Sequence, residues 1–550
     1  MYLKTINSLC SAHQEYNAEC MVLNVTLETE HKDGLGSLLK FRCTNCGFVS
    51  EALHQYEKLP GNHAGAAINM LYASAILDTC IGVEKANVLL SSMDIPPPSR
   101  SHLQNLVTRA ASEAVKLNEE DMAKKLRLTV DHKKAAGSTD PEKIDISFDC
   151  RYNTNRMVSS YKPGQGASQA YGVAIENHTS FKYVVGLAIE NKLCWTGAFL
   201  RNKGYDVNCP GGHSGCTANI AYMQPHSERH MARDLASQFH KDDIMVKTLT
   251  TDGDTRSYLG MQDFYDSLGA AWSVQRQADP NHLGSIQIRK TRKANWSLHM
   301  FPRKRTKAER EQATSALARD IKARCSRIIE ELRHSGKGDL TKNIDRLPAI
   351  RDATVECYAG NCSYCPHQSL VCCGLGGEGD WWYRSEYLPT HGILELNMTA
   401  KDKELMNDIL EVRLSESAVL AVSSNTNTQK CEAFNRAVLS TTPKDVNYAR
   451  NFPGKLASKT LQVNNSLEEA VSLKVKNLTG RKTLSPKAQQ YLAARSRASE
   501  KKKTVQKTVE FKKKRRSNRA RLEYEYHRMR TEASYSGREY KKGQMDDPAP

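Results

Sequence analysis

The order of elements predicted between residues 143 and 290 constrains the fold more than any other feature of the sequence. In KIDISFDCRY, Ile144, Ile146 and Phe148 alternate with polar residues, which predicts a half-buried strand that leaves Asp149 near its end. Two β-rich runs flank the turn-like ENHT and predict a hairpin. A helix, the strand IMVKTLTTDGD, a second helix and a short strand follow. We therefore expect an α/β fold with helices packed on the faces of a mixed sheet.

This order matches the ribonuclease H-like layout, in which the first and fourth strands are neighbours. Their ends would bring Asp149 and Asp252 together. Adjacent carboxylates repel, so both stay ionised only beside a cation, and two Mg²⁺ or Mn²⁺ ions can bind between such acids and a scissile phosphate. The third acid is expected to be Glu432, in the first turn of a helix after the Asn- and Thr-rich NTNT. The alternative is that strand-end aspartates are turn or cap residues.

Sixteen cysteines, several of them clustered, favour structural zinc over disulfides in a chain without a recognisable secretory signal. The first group contains Cys20, Cys43 and Cys46, with its fourth ligand left open among His13, His31 and Cys10. The second contains Cys194, Cys209, His213 and Cys216. The third contains Cys357, Cys362, Cys365, His367, Cys372 and Cys373, and which four bind is left open. For the first group the alternative is a pair of ordinary buried thiols.

Basic residues are unevenly distributed, which predicts a polyanionic partner. The net charge is +18, and residues 481–550 contain 21 Lys and Arg against 8 Asp and Glu, or +13 of that total. The run Lys512 to Arg516 predicts nuclear import and a location in the nucleus. A second basic group, expected to hold a DNA backbone beside Trp296, consists of Arg289, Lys290, Arg292, Lys293, Arg303, Lys304 and Arg305. The alternative is solvated helix faces. No apolar run reaches membrane-spanning length.

These patterns predict six regions along the chain. Residues 1–60 form a Cys-rich zinc module, and residues 61–130 form three short helices, either a DNA-binding helix-turn-helix or a helical bundle. A linker over 131–140 leads to the first part of the core at 140–300. A helical and Cys-rich insertion occupies 301–415, the end of the core with the Glu432 helix occupies 416–473, and a basic, disordered tail occupies 474–550.

Four motifs in order, DISFDCRYNT, TTDGDTRSY, DPNHLGSIQIRK and NTNTQKCEAFNR, resemble the Mutator-like transposase domain over roughly residues 10–450. The resemblance implies a DDE enzyme with a ribonuclease H-like core and a helical insertion before the glutamate. It assigns the catalytic acids to Asp149, Asp252 and Glu432, and a further motif to Asp279 and His282. Cys150 and Cys431 replace the usual glycine and asparagine, whereas Asn435 is retained.

The resemblance implies metal-dependent nicking of DNA at terminal inverted repeats, followed by attack of the freed 3′-hydroxyl on target DNA. It also implies double-stranded DNA as partner and a homo-oligomeric synaptic complex. His282 would contact the scissile phosphate or orient an acid, with a structural histidine as the alternative. We expect the three carboxyl groups to converge within about 4 to 8 Å. The competing interpretations are a non-catalytic DNA-binding protein that retains the fold and an unrelated ribonuclease H-like nuclease.

Overall fold

The computed structural model describes residues 2–60, 65–153, 167–302, 306–361, 363, 396–481 and 483–535. Contacts divide the chain into two units. The first comprises residues 1–249, 255–274 and 428–499, and the second comprises 250–254, 275–427 and 500–550. No helix in the described ranges is long and apolar enough to cross a membrane.

The N-terminal region of the first unit combines one helix with a small sheet. Helix α1 spans Tyr2–Tyr16, and strands β1 (Val25–Asp33), β2 (Gly36–Cys43) and β3 (Leu53–His54) pair antiparallel in that order. Strand β1 exposes most of its side chains, whereas most residues of β2 are half-buried or buried. A sheet this small cannot bury a large core, so its ends must be held by other means.

Three helices follow, and the third is far longer than the sequence suggested. They are α2 (Ala67–Leu77), α3 (Val83–Ser92) and α4 (Arg100–Ala135). Helix α4 continues through the first half of the predicted linker. Its N-terminal part packs with α2 and α3, and Leu126 and Val130 join the core of the main sheet. This 36-residue helix is therefore a structural element of the core, so the prediction of three short helices is wrong at the third.

The main sheet has the strand order β6-β5-β4-β7-β8. Its strands are β4 (Lys143–Tyr152), β5 (Gln169–Glu176), β6 (Val184–Asn191), β7 (Met245–Thr251) and β8 (Gln275–Ala278). Strands β4, β5 and β6 pair antiparallel, and the predicted hairpin joins β5 to β6. Ile144, Ile146 and Phe148 are buried as the alternation predicted. Strands β4 and β7 are neighbours, so the adjacency expected of the first and fourth strands is confirmed.

Further helices of the first unit follow, and several of them pack against this sheet. They are α5 (Trp195–Asn202), α6 (Glu228–Lys241) and α7 (Thr255–Ser267), and later in the chain α13 (Gln429–Val438), α14 (Phe452–Asn464) and α15 (Leu467–Thr479). Helices α6 and α7 pack closely at Gly260, where an added Cβ would lie 1.9 Å from the carbonyl oxygen of Arg229. Helix α15 continues past residue 473, and its buried Lys474 pairs with Asp78. The core thus extends into the region predicted to be tail.

The second unit is mainly helical. Its helices are α8 (Pro280–Lys293), α9 (Lys307–Ser335), α10 (Leu347–Tyr358), α11 (Ala400–Leu414), α12 (Glu416–Leu420) and α17 (Val509–Tyr535), with a 3₁₀ helix over Leu340–Arg346. Helix α16 (Pro486–Lys507) precedes α17 and has no buried residue. Most of the tail predicted to be disordered is helical where the structure describes it, apart from residues 480–481, 483–485 and 508. Its repeated Lys, Arg and Ala residues are good helix formers, which explains the difference.

Candidate functional site

The first cysteine group forms a four-ligand cluster at the edge of the N-terminal sheet. One ligand atom from each of His13, Cys20, Cys43 and Cys46 lies within 4.8 Å of the others. The sequence left the fourth ligand open, and the structure selects His13, near the end of α1. Its Nε2 lies 3.3 Å from Cys46 Sγ. Three thiols and one imidazole match the donor set of structural zinc.

Backbone geometry prepares one thiol of this cluster for metal binding. The amide of Cys46 lowers the pKa of Cys43 to about 6, and the amides of Asn45 and Asn24 act in the same direction. Gly47, at φ +74°, closes the turn with a hydrogen bond to the Cys43 carbonyl. Thiolates are the form that binds zinc, so the turn around Cys43 fits a structural ion.

The second cysteine group also forms a four-ligand cluster, with all the predicted members: Cys194, Cys209, His213 and Cys216. His213 Nε2 lies 3.3 Å from Cys194 Sγ and 3.1 Å from Cys209 Sγ. Its Nδ1 lies 3.0 Å from the Ser214 carbonyl oxygen. A carbonyl that holds the second ring nitrogen of a metal-binding histidine is the usual arrangement around bound zinc, so these residues fit the ion.

Burial and hydrogen bonds from backbone amides shift the pKa of Cys194 in opposite directions. Burial raises the pKa of its thiol, but hydrogen bonds from the amides of Gly197 and Thr217 outweigh this and lower the pKa to about 6. Gly197 is required for close packing, because a Cβ there would lie 2.7 Å from Cys209 Sγ. The cluster therefore fixes the N-terminus of α5.

The third predicted cysteine group lies mostly outside the described residues. Cys362, Cys365, His367, Cys372 and Cys373 belong to that part. Cys357 is described: it is buried near the end of α10, where its Sγ accepts a hydrogen bond from Arg324 at 3.4 Å. Its role as a zinc ligand stays a prediction.

Asp149 lies on β4 opposite Val173 of β5 and accepts a hydrogen bond from α13. Asn435 Nδ2 donates to Asp149 Oδ2 at 2.8 Å, and Asn435 Oδ1 accepts from the hydroxyl of buried Tyr171 at 2.8 Å. Arg151 lies beside Tyr171 and donates to the Thr442 carbonyl at 2.8 Å. This network fixes the orientation of Asn435 and, through it, the carboxylate of Asp149.

Glu432 is exposed in the first turn of α13, as predicted, and lies three residues before Asn435. Residues three apart on a helix share a face, so the helix that positions Asp149 also presents Glu432. The buried residues of α13 are Cys431, Phe434 and Val438. Cys431 Sγ lies 3.5 Å from the Ser147 carbonyl oxygen, so the cysteine at this position packs α13 against β4.

Asp252 belongs to the second unit, in the loop that ends β7. Its Oδ1 accepts the amide of Asp254 at 3.2 Å around Gly253, which has φ +104°. Arg276 donates to the Gly253 carbonyl at 2.7 Å, and a Cβ on Gly253 would lie 4.0 Å from the His282 ring. The loop and His282 are therefore close, and the predicted catalytic role of His282 stays a prediction. Asp279 is the N-cap of α8, and the Asp-Pro sequence at 279–280 signals that role.

The predicted catalytic residues are divided between the two units. Asp149 and Glu432 belong to the first, whereas Asp252 and His282 belong to the second. Their predicted convergence within about 4 to 8 Å stays a prediction. Sequence reasoning missed Tyr171, Arg151 and Arg276 as supporting residues. A tyrosine in an otherwise apolar strand signals a buried hydroxyl that needs a partner, but the sequence does not identify that partner.

The predicted basic group is exposed along α8 where it is described. Arg289, Lys290, Arg292 and Lys293 are exposed, and Lys290 Nζ lies 2.6 Å from the Asp408 carbonyl oxygen. Arg303, Lys304 and Arg305 lie outside the described residues. A cavity of about 650 Å³ in the second unit is lined by Arg292, Trp296, Phe301, Lys307, Arg310 and Tyr526, among others. Trp296 Nε1 donates to the Thr291 carbonyl, so its ring is held in place at this basic cavity.

Comparisons with known proteins identify one family. The model of the Mutator-like transposase family matches residues 2–372. The comparison with curated proteins found no match. Among solved structures, the chain is similar to the Drosophila P element transposase strand transfer complex at 11% identity and a TM-score of 0.27, over 75% of this chain and 94% of that one.

Proposed function

The chain belongs to the Mutator-like transposase family, and from this premise we propose that it cuts DNA at terminal inverted repeats and joins the freed 3′-hydroxyl to target DNA. The observation that carries the proposal is the contact between Asp149 and the helix that bears Glu432, through the 2.8 Å hydrogen bond from Asn435. Asp149 is thus hydrogen-bonded to the helix that carries Glu432, although 283 positions separate the two acids in the sequence.

The proposal includes a ribonuclease H-like core. Three antiparallel strands in sequence, with the fourth beside the first, support it. In such a core the end of β4 and the loop after β7 would face the same substrate. Asp149, Asp252 and Glu432 offer the oxygen ligands that Mg²⁺ and Mn²⁺ prefer. When bound, such ions lower the pKa of the attacking water or hydroxyl and stabilise the leaving oxygen.

The chain's own residues would position the reacting groups. Asn435 fixes the orientation of Asp149, and the Asp254 amide fixes that of Asp252. His282, whose ring would lie 4.0 Å from a Cβ on Gly253, would donate a hydrogen bond to a phosphate oxygen near this loop. The exposed cations of α8 would neutralise the DNA backbone, which makes binding salt-dependent. A homo-oligomeric synaptic complex and nuclear import through Lys512 to Arg516 belong to the same proposal.

The test is a strand-transfer assay with the full chain, labelled duplexes that end in the element's inverted repeats, and a target plasmid. We expect 3′-hydroxyl ends and joined products with Mg²⁺ or Mn²⁺ and none with EDTA. Cleavage without joining would favour a nuclease. Binding without cleavage would favour a non-catalytic protein derived from a transposase, and either result would overturn the proposed reaction.

A further inference from the structure

Helix α5 is a short helix held at its N-terminus by the second cysteine cluster. Cys194 is both a cluster member and the N-cap, and its Sγ accepts the amide of Gly197 at 3.4 Å. Gly197 brings the helix against Cys209. A helix of eight residues is marginal by itself, so the cluster determines where its side chains lie.

The outer face of α5 exposes large aromatic rings. Trp195 and Phe199 are 60% and 54% exposed, and Tyr205, just beyond the helix, is 62% exposed. Trp195 and Phe199 are four residues apart and therefore lie on the same face of the helix. Rings of this size are normally buried, so this face is built for contact with something other than water.

Cations lie over these rings. The guanidinium of Arg450 is 5.7 Å from the centre of the Trp195 ring, and Lys203 Nζ is 4.7 Å from the centre of the Phe199 ring. Residues 193–225 contain two basic residues, Arg201 and Lys203, and a single acid, Asp206. An apolar protein partner would have to bury these charges, whereas a nucleic acid strand offers bases for the rings and phosphates for the cations.

We propose that Trp195 and Phe199, with Lys203 and Arg450, form a stacking platform for unpaired bases of a DNA strand. The inference rests on the proposed function in taking DNA as the ligand, and it adds a preference for unpaired nucleotides. Bases stack on the two rings while their phosphates contact the two cations. The cysteine cluster holds the platform rigid, which lowers the entropy cost of binding.

The experiment measures the binding of a fluorescein-labelled thymidine 15-mer to the zinc-loaded full chain by anisotropy. The W195A/F199A variant should lose about tenfold or more in affinity for the 15-mer, because each stacked base contributes substantially. It should bind a 15-base-pair duplex as the wild type does. W195F should retain most of the affinity. F181A, which removes a 67% exposed aromatic ring elsewhere in the same unit, is the matched control and should have no effect.

If W195A/F199A proves unstable, a second variant tests the platform through its cations. K203Q/R450Q leaves the rings in place and should weaken 15-mer binding several-fold, with a smaller salt dependence. An abasic 15-mer, which keeps the phosphates, should bind weakly to the wild type. Unchanged 15-mer affinity in a correctly folded W195A/F199A chain would overturn the platform and indicate a protein-binding face. Failure of strand transfer with intact, Trp195-dependent 15-mer binding would instead overturn the proposed reaction alone.

Discussion

The two Cys₃His clusters and the three predicted catalytic acids are all candidate metal ligands, yet the fold arranges them differently. Each cysteine cluster is complete within the first unit, with its ligand atoms inside 4.8 Å. The acids are distributed over both units, and Asp149 and Asp252 accept hydrogen bonds from neutral amides. At neutral pH a group of thiols and an imidazole carries less negative charge than a group of carboxylates, which repel one another. We therefore expect the cysteine clusters to form during folding and the proposed catalytic acids to bind cations only together with substrate.

The largest effect is expected on folding, when a cysteine of either cluster is replaced. Elemental analysis should find at least two zinc ions per chain, and C43S and C194S should each lose one. Structural zinc contributes on the order of 10 kcal/mol of apparent binding free energy, so each variant should unfold its own region, seen as lost amide protection in hydrogen exchange. C10S, at an exposed cysteine outside both clusters, is the control. Full zinc content in C194S would show that Cys194 is not a zinc ligand.

Substitution of the three predicted catalytic acids should impair cleavage without unfolding the protein. D149N, D252N and E432Q should each lower DNA cleavage about 10³-fold or more, since each removes a proposed ligand of the catalytic cations. Thermal stability and zinc content should stay unchanged, because the amide replacements keep the shape of the side chains. D266N, at an exposed acid of α7, should cleave normally. Wild-type cleavage by any of the three variants would exclude that residue from the site.

Asp320 is a carboxylate of the second unit that is buried near the guanidinium of Arg324. It is fully buried on α9 and accepts a hydrogen bond from Tyr358 at 2.6 Å. Burial raises the pKa of Asp320 to about 7, from 3.8 in the unfolded chain. The contribution of Asp320 to the free energy of unfolding is therefore largest below about pH 4. It falls by up to about 4 kcal/mol as the pH rises through 7. Urea unfolding at pH 5 and pH 8 should show this loss.

D320N should flatten that pH dependence, whereas E330Q, which removes an exposed carboxylate of the same helix, should preserve it. An equal pH dependence in D320N and wild type would show that Asp320 does not titrate between the two pH values.

The smallest effect is expected at Asn435, which acts through Asp149. N435A should lower cleavage about 10- to 100-fold, the usual range for a residue that orients a metal ligand. The Mg²⁺ concentration for half-maximal activity should rise, a shift that a purely structural role would not cause. R436A, one residue along and exposed, should match the wild type. An unchanged Mg²⁺ requirement in N435A would show that Asn435 has only a packing role.

Local patterns predicted much of the sheet and all four ligands of the second cluster. The alternation in KIDISFDCRY and the spacing of Cys209, His213 and Cys216 act over a few residues, so the sequence displays them directly. The sequence did not identify His13 as the fourth ligand of the first cluster. That histidine lies thirty residues from Cys43, and its position depends on how α1 packs. It also missed the length of α4, since the helix is continued by burial against the sheet rather than by a change in local propensity.

The close approach of α6 and α7 at Gly260 has a consequence for genetics. A methyl group there would lie 1.9 Å from the backbone of Arg229, so G260A must push the two helices apart. The same shift would strain the ion pair between Arg229 and Asp263. Because the change replaces none of the proposed reactive groups, G260A is a rational choice for a temperature-sensitive allele, with which the protein could be switched off in living cells by warming.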